Sequence, residues 1–94
     1  MTANELIEGK GITMTLQEKI DKLPLLIEYE DCPFELRVEI SHWAVILRYI
    51  DFRYYSDLFV VEEHIENRSI SQLFEDVVDR ALTIIENKEW EHTE

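Results

Sequence analysis

The segment FELRVEISHWAVILRYI, residues 34–50, decides the fold. From Phe34 to Ser41, apolar side chains alternate with Glu, Arg and Ser, which predicts a strand with one buried and one solvated face. From Trp43 to Ile50 both faces are mostly apolar, and the β-branched and aromatic residues favour a strand over a helix. A strand that is apolar on both sides is a central strand, so another element must cover each of its faces.

The sequence around this segment supplies the neighbouring elements. Downstream, Asp51-Phe52-Arg53 is predicted to be a turn and residues 54–61 a third strand. Upstream, Thr15-Leu16-Gln17-Glu18 has the form of a capping box, and the short helix that it opens should end at Pro24. Residues 25–29 are compatible with a short strand or with a packed continuation of that helix.

The C-terminal third contains the clearest helix. Ser69-Ile70-Ser71-Gln72 has the form of a second capping box. Apolar residues then recur at helical spacing and define one buried stripe: Leu73, Phe74, Val77, Val78, Ala81, Ile84 and Ile85. We therefore predict an α+β fold with a short N-terminal helix, a three-stranded antiparallel sheet, and a long amphipathic C-terminal helix packed on one sheet face.

A length of 94 residues fits one small domain. We assign residues 1–14 to a flexible lead-in, residues 15–88 to a single α+β domain and residues 89–94 to a frayed acidic tail. The chain has no apolar run of transmembrane length, and its polar start does not resemble a secretory signal, so we expect a cytoplasmic protein. Cys32, the single cysteine, is then a reduced thiol.

Acidity is the main compositional signal. The chain has 9 Lys and Arg against 21 Asp and Glu, a formal net charge of −12. The basic residues are scattered, so direct binding to nucleic acid or to an anionic membrane is disfavoured, because both require clustered Lys and Arg. A basic protein surface is the partner that this charge favours. Solubility alone would also explain the acidity.

The sequence contains no motif for catalysis or for cofactor binding. The three histidines lack the ligand spacing of a metal site and are interpreted as solvated. Closely spaced carboxylates could perform acid–base chemistry if buried, but a solvated surface is the better interpretation of the five acids concerned: Glu28, Glu30, Asp31, Glu62 and Glu63. We therefore predict no catalytic residue, no metal site and no cofactor.

Two groups of residues form the candidate binding site. The first is an acidic patch of six carboxylates: Glu62, Glu63, Glu66, Glu75, Asp76 and Asp79. On the predicted helix, Glu75, Asp76 and Asp79 lie within one turn, where like charges three and four residues apart lower the helix stability slightly. A chain that tolerates this cost could use the carboxylates in place of phosphates before an Arg/Lys-rich groove. The second group is an aromatic anchor, Tyr54 or Tyr55, since neighbouring strand residues point to opposite faces. A solvated helix face and core packing explain both groups without a function.

The order of elements carries a resemblance to a known family. Three strands followed by the capped acidic helix Ser69-Ile70-Ser71-Gln72-Leu73-Phe74-Glu75 resemble the β-β-β-α module of HicB-type antitoxins. The Gly-rich turns usual in that family are missing here. In size and charge the chain is similar to anti-CRISPR and anti-restriction proteins, small acidic inhibitors from phages and mobile elements that mimic DNA. These resemblances carry over no functional residue.

The leading hypothesis is a small acidic, non-enzymatic binding protein. It would occlude a basic, nucleic-acid-binding surface of a partner protein, as a DNA-mimic inhibitor does. The alternative is a homo-oligomeric structural or regulatory module, such as an antitoxin or a phage accessory protein. In that case the second apolar face of the sheet would form the contact between subunits.

Overall fold

The computed structural model describes residues 14–92, in which a four-stranded antiparallel sheet packs against a long helix. The helices are α1 (Leu16–Asp21) and α2 (Ile70–Asn87), followed by a 3₁₀ helix at Glu89–His92. The strands are β1 (Leu26–Tyr29), β2 (Cys32–Ile40), β3 (Ala44–Asp51) and β4 (Ser56–His64), and they lie side by side in that order.

The sheet corrects the predicted strand number from three to four. The three predicted strands correspond to β2, β3 and β4, and the additional strand is β1. A two-residue turn at Glu30–Asp31 folds β1 back on β2, so that Ile27 lies opposite Phe34 and Tyr29 opposite Cys32. The sequence pattern of residues 25–29 is compatible with either a strand or a helix, and pairing with β2 therefore determines that this segment forms a strand.

The core lies between α2 and one face of the sheet. The Ser69 hydroxyl accepts a hydrogen bond from the Gln72 amide and caps the start of α2. Leu73, Val77, Val78 and Ala81 are fully buried against a set of equally buried sheet residues: Val45, Leu47, Tyr49 and Val61. Each fully buried aliphatic side chain contributes roughly 1.5–3 kcal/mol, so this contact dominates the stability. The predicted long amphipathic helix on one sheet face is confirmed.

Helix α1 is shorter and shallower than α2. Its capping box is complete, because the Thr15 hydroxyl accepts from the Glu18 amide and the Glu18 carboxylate accepts from the Thr15 amide. The helix has six residues and none is fully buried, although Leu16 and Ile20 pack at the edge of the core. The predicted N-terminal helix is thus confirmed only in part.

Two segments at the ends of the chain complete the description. The predicted lead-in, residues 1–14, lies outside the described residues except for Met14. The segment predicted as a frayed tail starts with the 3₁₀ helix Glu89–His92. There the Trp90 ring stacks on Phe59 of β4, with ring centroids 5.9 Å apart and planes at 2°.

The two faces of the sheet differ. Helix α2 covers one, and no helix among residues 14–92 packs on the other, which we call the open face. Directly opposed residues of antiparallel strands share a face, so the register assigns three rows to it. They are Glu39–Ile46–Glu62, Arg37–Arg48–Val60, and Glu35–Ile50–Asp57. Between the partners of Tyr49 and Ile50, a bulge in β4 shifts the register, so that Asp57 lies opposite Ile50 on the open face.

Candidate functional site

Two of the six acids of the predicted patch are engaged by a lysine from α1. The Lys19 ammonium lies 2.8 Å from a carboxylate oxygen of Glu75 and 2.9 Å from one of Asp79. The hydrogen bonds that Lys19 donates to Glu75 and then to Asp79 raise the pKa of Lys19, which stays charged. These two acids fasten α1 to α2, so their spacing on one helix face has a structural use.

A second cluster surrounds Arg68, in the connection between β4 and α2. Its guanidinium donates to Asp76 at 2.9 Å, to Glu63 at 3.4 Å and to the backbone carbonyl of His64 at 2.6 Å. Asp76 is the largest cause of the raised pKa of Arg68. Arg80 also pairs with Glu63, so this carboxylate bridges two arginines. The cluster ties the end of β4 to the first turns of α2.

The remaining two acids of the patch lie apart from these clusters. Glu62 projects on the open face, and its carboxylate contacts the His64 ring at 2.7 Å. Glu66 is exposed in the connection before α2. The structure thus does not gather the six acids into one unpaired surface. Counting charge along residues 61–94 could not reveal this, because Lys19 lies 56 residues from Glu75 in the chain.

The predicted aromatic anchor is at the surface. The turn between β3 and β4 exposes 70% of Tyr54 and 80% of Tyr55. Tyr55 meets the Phe52 ring edge to face at 6.4 Å, and the Arg53 guanidinium lies over the Tyr54 ring at 5.2 Å. Both tyrosines are presented together, because they belong to the turn and not to the strand on which the sequence placed them.

A buried carboxylate holds this turn. Asp51 is 1% exposed, and its two oxygens accept from the side chain of Arg53 at 3.1 Å and 2.9 Å. A third hydrogen bond comes from the Arg53 backbone amide at 3.0 Å. The Arg53 side chain is the main cause of the lowered pKa of Asp51, and the Cys32 thiol adds a smaller contribution. The pair fixes the chain direction just before the two tyrosines.

The turn between β1 and β2 lies at the same end of the sheet. Cys32, the first residue after that turn, contacts Asp51, the last residue before the other. Glu30 and Asp31 have positive φ values of 52° and 65°, and Tyr55 has 54°. Ordinary L-residues are disfavoured in that region of backbone space, so both turns hold conformations that favour Gly or Asn.

Trp90 completes this end of the molecule. Besides stacking on Phe59, it meets Tyr29 edge to face at 6.4 Å. It lines a shallow depression of about 330 Å³ together with six other residues: Tyr29, Glu30, Cys32, Phe34, Asp57 and Leu58. Burial, followed by the negative charges of Glu30 and Glu91, raises the pKa of Tyr29. We call the surface formed by residues 29–31, 52–55 and Trp90 the turn end.

The turn end combines acidity with exposed aromatic rings. Within the described chain, no salt bridge joins Glu30, Asp31 or Glu91 to a basic side chain. Arg53, the basic residue of the turn, is neutralised by Asp51. Sequence reasoning identified Tyr54 and Tyr55 but not this acidic surround, although the adjacent acids Glu30 and Asp31 were visible in the sequence.

Comparisons with known proteins add no relative. The chain matches no family model, no curated protein and no solved structure. Among residues 14–92, His, Cys, Asp and Glu form no group of three or more that could hold a metal ion. No helix in the same part of the chain is long and apolar enough to span a membrane.

Proposed function

We propose that the protein is a small, non-enzymatic binding module whose turn end covers a basic, nucleic-acid-binding surface of a partner protein. The observation that carries the proposal is the joint exposure of Tyr54 and Tyr55 beside acids that have no salt bridge within the described residues. Under this proposal the protein acts in the cytoplasm as an inhibitor that competes with nucleic acid, in the manner of a DNA mimic.

Charge and ring chemistry support this choice of partner. A net charge of −12 attracts a basic protein over long range and repels a phosphate backbone. Tyrosines provide rigid contact area with a polar tip, and they are enriched where a few residues dominate the binding energy. The acids of α2 are occupied by Lys19 and Arg68, so the turn end takes the role that the sequence gave to the acidic patch.

Backbone conformation is a further argument for the turn end. Three of the four described non-glycine residues with positive φ lie there: Glu30, Asp31 and Tyr55. Non-glycine residues with positive φ lower the stability of the fold. They cluster at functional sites, where the contribution of the side chain to function outweighs the backbone strain. Two acids and an exposed tyrosine at positions that favour Gly or Asn fit a binding role better than a purely structural turn.

The test is affinity capture on the immobilised protein from nuclease-treated lysate of the source cell. We expect basic proteins to be retained and to elute at about 1 M salt, where the screening length falls to about 3 Å. The double variant Tyr54→Ala/Tyr55→Ala should lose them. Asp31→Asn should retain less than Glu66→Gln, a matched loss of one exposed charge at the other end of the sheet.

Competition then tests the mechanism. A captured protein is loaded with fluorescent duplex DNA at low salt, and the acidic protein is added in excess. Release of the DNA supports the proposal. Retention of all the DNA, or equal capture by the wild type and the turn-end variants, contradicts it.

A further inference from the structure

Among residues 14–92, no helix or strand covers the open face, although it lies over the centre of the sheet. Both helices are on the other side, since α2 packs on β3 and β4, and α1 packs on α2. Within the open face, Ile46 is half-buried, and Val60 and Leu26 remain 42% and 45% exposed. A central strand with apolar residues on both faces normally has a layer on each side.

Charges on the open face follow a regular order along the strands. In one row Glu39 and Glu62 flank Ile46. In the next row Arg37 lies beside Arg48, and beyond it Glu35 and Asp57 flank Ile50. An acidic row, a basic row and a second acidic row therefore succeed one another, with apolar residues among them.

We infer that the open face binds a second copy of the chain, about a two-fold axis that lies in the interface, perpendicular to the strands, and passes between the acidic row of Glu39 and the basic row of Arg37. This operation places each β3 antiparallel to the partner's β3. Arg37 then faces the partner's Glu39, and the partner's Arg37 faces Glu39. Charge complementarity is what selects a second copy as the occupant.

The same rows reject the other simple arrangement. A two-fold axis parallel to the strands would bring Glu39 against the partner's Glu62, and Arg48 against the partner's Arg48. Like charges in contact across an interface cost free energy. Of these two axes, only the one perpendicular to the strands places opposite charges of the two copies against each other. Ile50 then lies over the partner's Ala44, and Asp57 lies over the partner's His64.

Arg48 provides an independent observation. It lies in the middle of the open face, and its Nε is shielded from solvent without a hydrogen-bond partner among the described residues. Among the described residues, the acid that forms an ion pair with it is Asp57, 4.0 Å from Nη1. In the inferred dimer, Arg48 lies over the partner's Ile46, between the partner's Glu39 and the partner's Glu62. The Arg48 side chain as a whole is 29% exposed, so its guanidinium can pair with these carboxylates across the interface.

The size of the face fits a reversible dimer. The four strands contain 30 residues, and at about 3.4 Å per residue and about 4.8 Å between strands they give a footprint of roughly 500 Å² per copy. The resulting total of roughly 1,000 Å² is at the lower limit for specific interfaces. We therefore expect a dissociation constant in the micromolar range.

Sedimentation of the full chain tests the inference, at concentrations from about 1 to about 300 µM, which bracket that range. We expect a monomer–dimer equilibrium. Arg37→Glu and Glu39→Arg each turn two attractive contacts into repulsive ones and should weaken association at least tenfold. Both side chains are exposed, so both variants should fold. Glu86→Arg makes the same charge change as Glu39→Arg, but on α2, so it is the matched control for that variant and should dimerise like the wild type.

Mixing the two variants gives the decisive result. A heterodimer of Arg37→Glu with Glu39→Arg has opposite charges at both contacts, so the mixture should associate within about threefold of the wild type. Three results would overturn the inference. They are a monomer throughout the concentration range, homodimers of both variants as stable as the wild type, and a mixture that associates no better than either variant alone.

Discussion

Replacing Glu30→Asn together with Asp31→Gly should make the protein more stable and a weaker binder. These residues form the two-residue turn between β1 and β2, with φ values of 52° and 65°. Positive φ at both positions is the signature of a type I′ turn, for which Asn-Gly is the preferred sequence. The natural acids therefore hold a conformation that other residues would adopt at lower cost.

The size of the gain follows from the two positions. A left-handed conformation costs an ordinary L-residue such as Glu30 roughly 1–2 kcal/mol, whereas Asn and Asp pay less and Gly nothing. Glycine gives back about 0.5–1 kcal/mol through the entropy of the unfolded chain. We expect the double variant to raise the free energy of unfolding by about 1–1.5 kcal/mol. In a domain of this size that corresponds to roughly 5–10 °C in Tm.

Urea and thermal unfolding, followed by the fluorescence of Trp43 and Trp90, would measure this gain. Glu30→Gln is the control, because it removes one charge and leaves the backbone preference unchanged. We expect it to alter the free energy of unfolding by less than about 0.5 kcal/mol. If the double variant were no more stable than the wild type, the backbone argument would be refuted.

Binding gives the second half of the prediction. The stabilised variant has lost both acids of the turn, so under the proposed function it should capture less of a basic partner than the wild type. Stability and binding then change in opposite directions, as expected where strain is retained for function. A variant that is more stable and binds equally well would show that the turn end is not the binding surface.

Three further predictions concern the fold. Leu73→Ala, beneath the sheet, should lower the free energy of unfolding by about 2–5 kcal/mol in urea titrations, and a loss below about 1 kcal/mol would contradict the described core. Tyr49→Phe removes the hydroxyl that donates to the Pro24 carbonyl at 2.8 Å, and should cost about 0.5–1.5 kcal/mol by the same measurement. Arg53 lowers the pKa of Asp51 below its ordinary value of 3.8, so this carboxylate contributes stability above pH 3.8 and loses it as the pH falls through the lowered value. The stability difference between the wild type and Asp51→Asn should therefore shrink in acid, and a pH-independent difference would argue against the pair.

The sequence was sufficient for the elements whose period is long enough to read. The alternation from Phe34 to Ser41 and the stripe that starts at Leu73 each extend over several repeats, so core-facing positions could be assigned before the structure was known. Strand β1 has only four residues, and it begins two residues after Pro24. Its conformation is set by pairing with β2, through a turn that lacks Gly, and local pattern carries no record of that pairing.

The candidate site was harder to predict, for a different reason. Sequence reasoning could count charges within a segment, but not the ion pairs that neutralise them across the fold. Glu75 and Asp79 form ion pairs with Lys19, and Asp76 forms an ion pair with Arg68. Long-range ion pairs thus neutralise the acids that are most prominent in the sequence. Glu30 and Asp31 form no salt bridge among residues 14–92, and they lie in a short turn whose neighbours depend on the register of the whole sheet.

The two inferred surfaces have a joint consequence, because they lie on different parts of the molecule. An axis perpendicular to the strands reverses the strand direction, so the dimer would present its two turn ends at opposite ends. From the strand rise, they would be roughly 35–50 Å apart. One dimer could then engage two basic sites at once, and the second contact would form at the high effective concentration set by the first. Arg37 contacts the turn end, because its guanidinium lies 5.4 Å from the centroid of the Phe52 ring, so the monomeric variant to use is Glu39→Arg. That variant keeps its turn end intact and should bind a single-site partner like the wild type. It should bind a two-site partner more weakly, which separates the dimer interface from the binding surface.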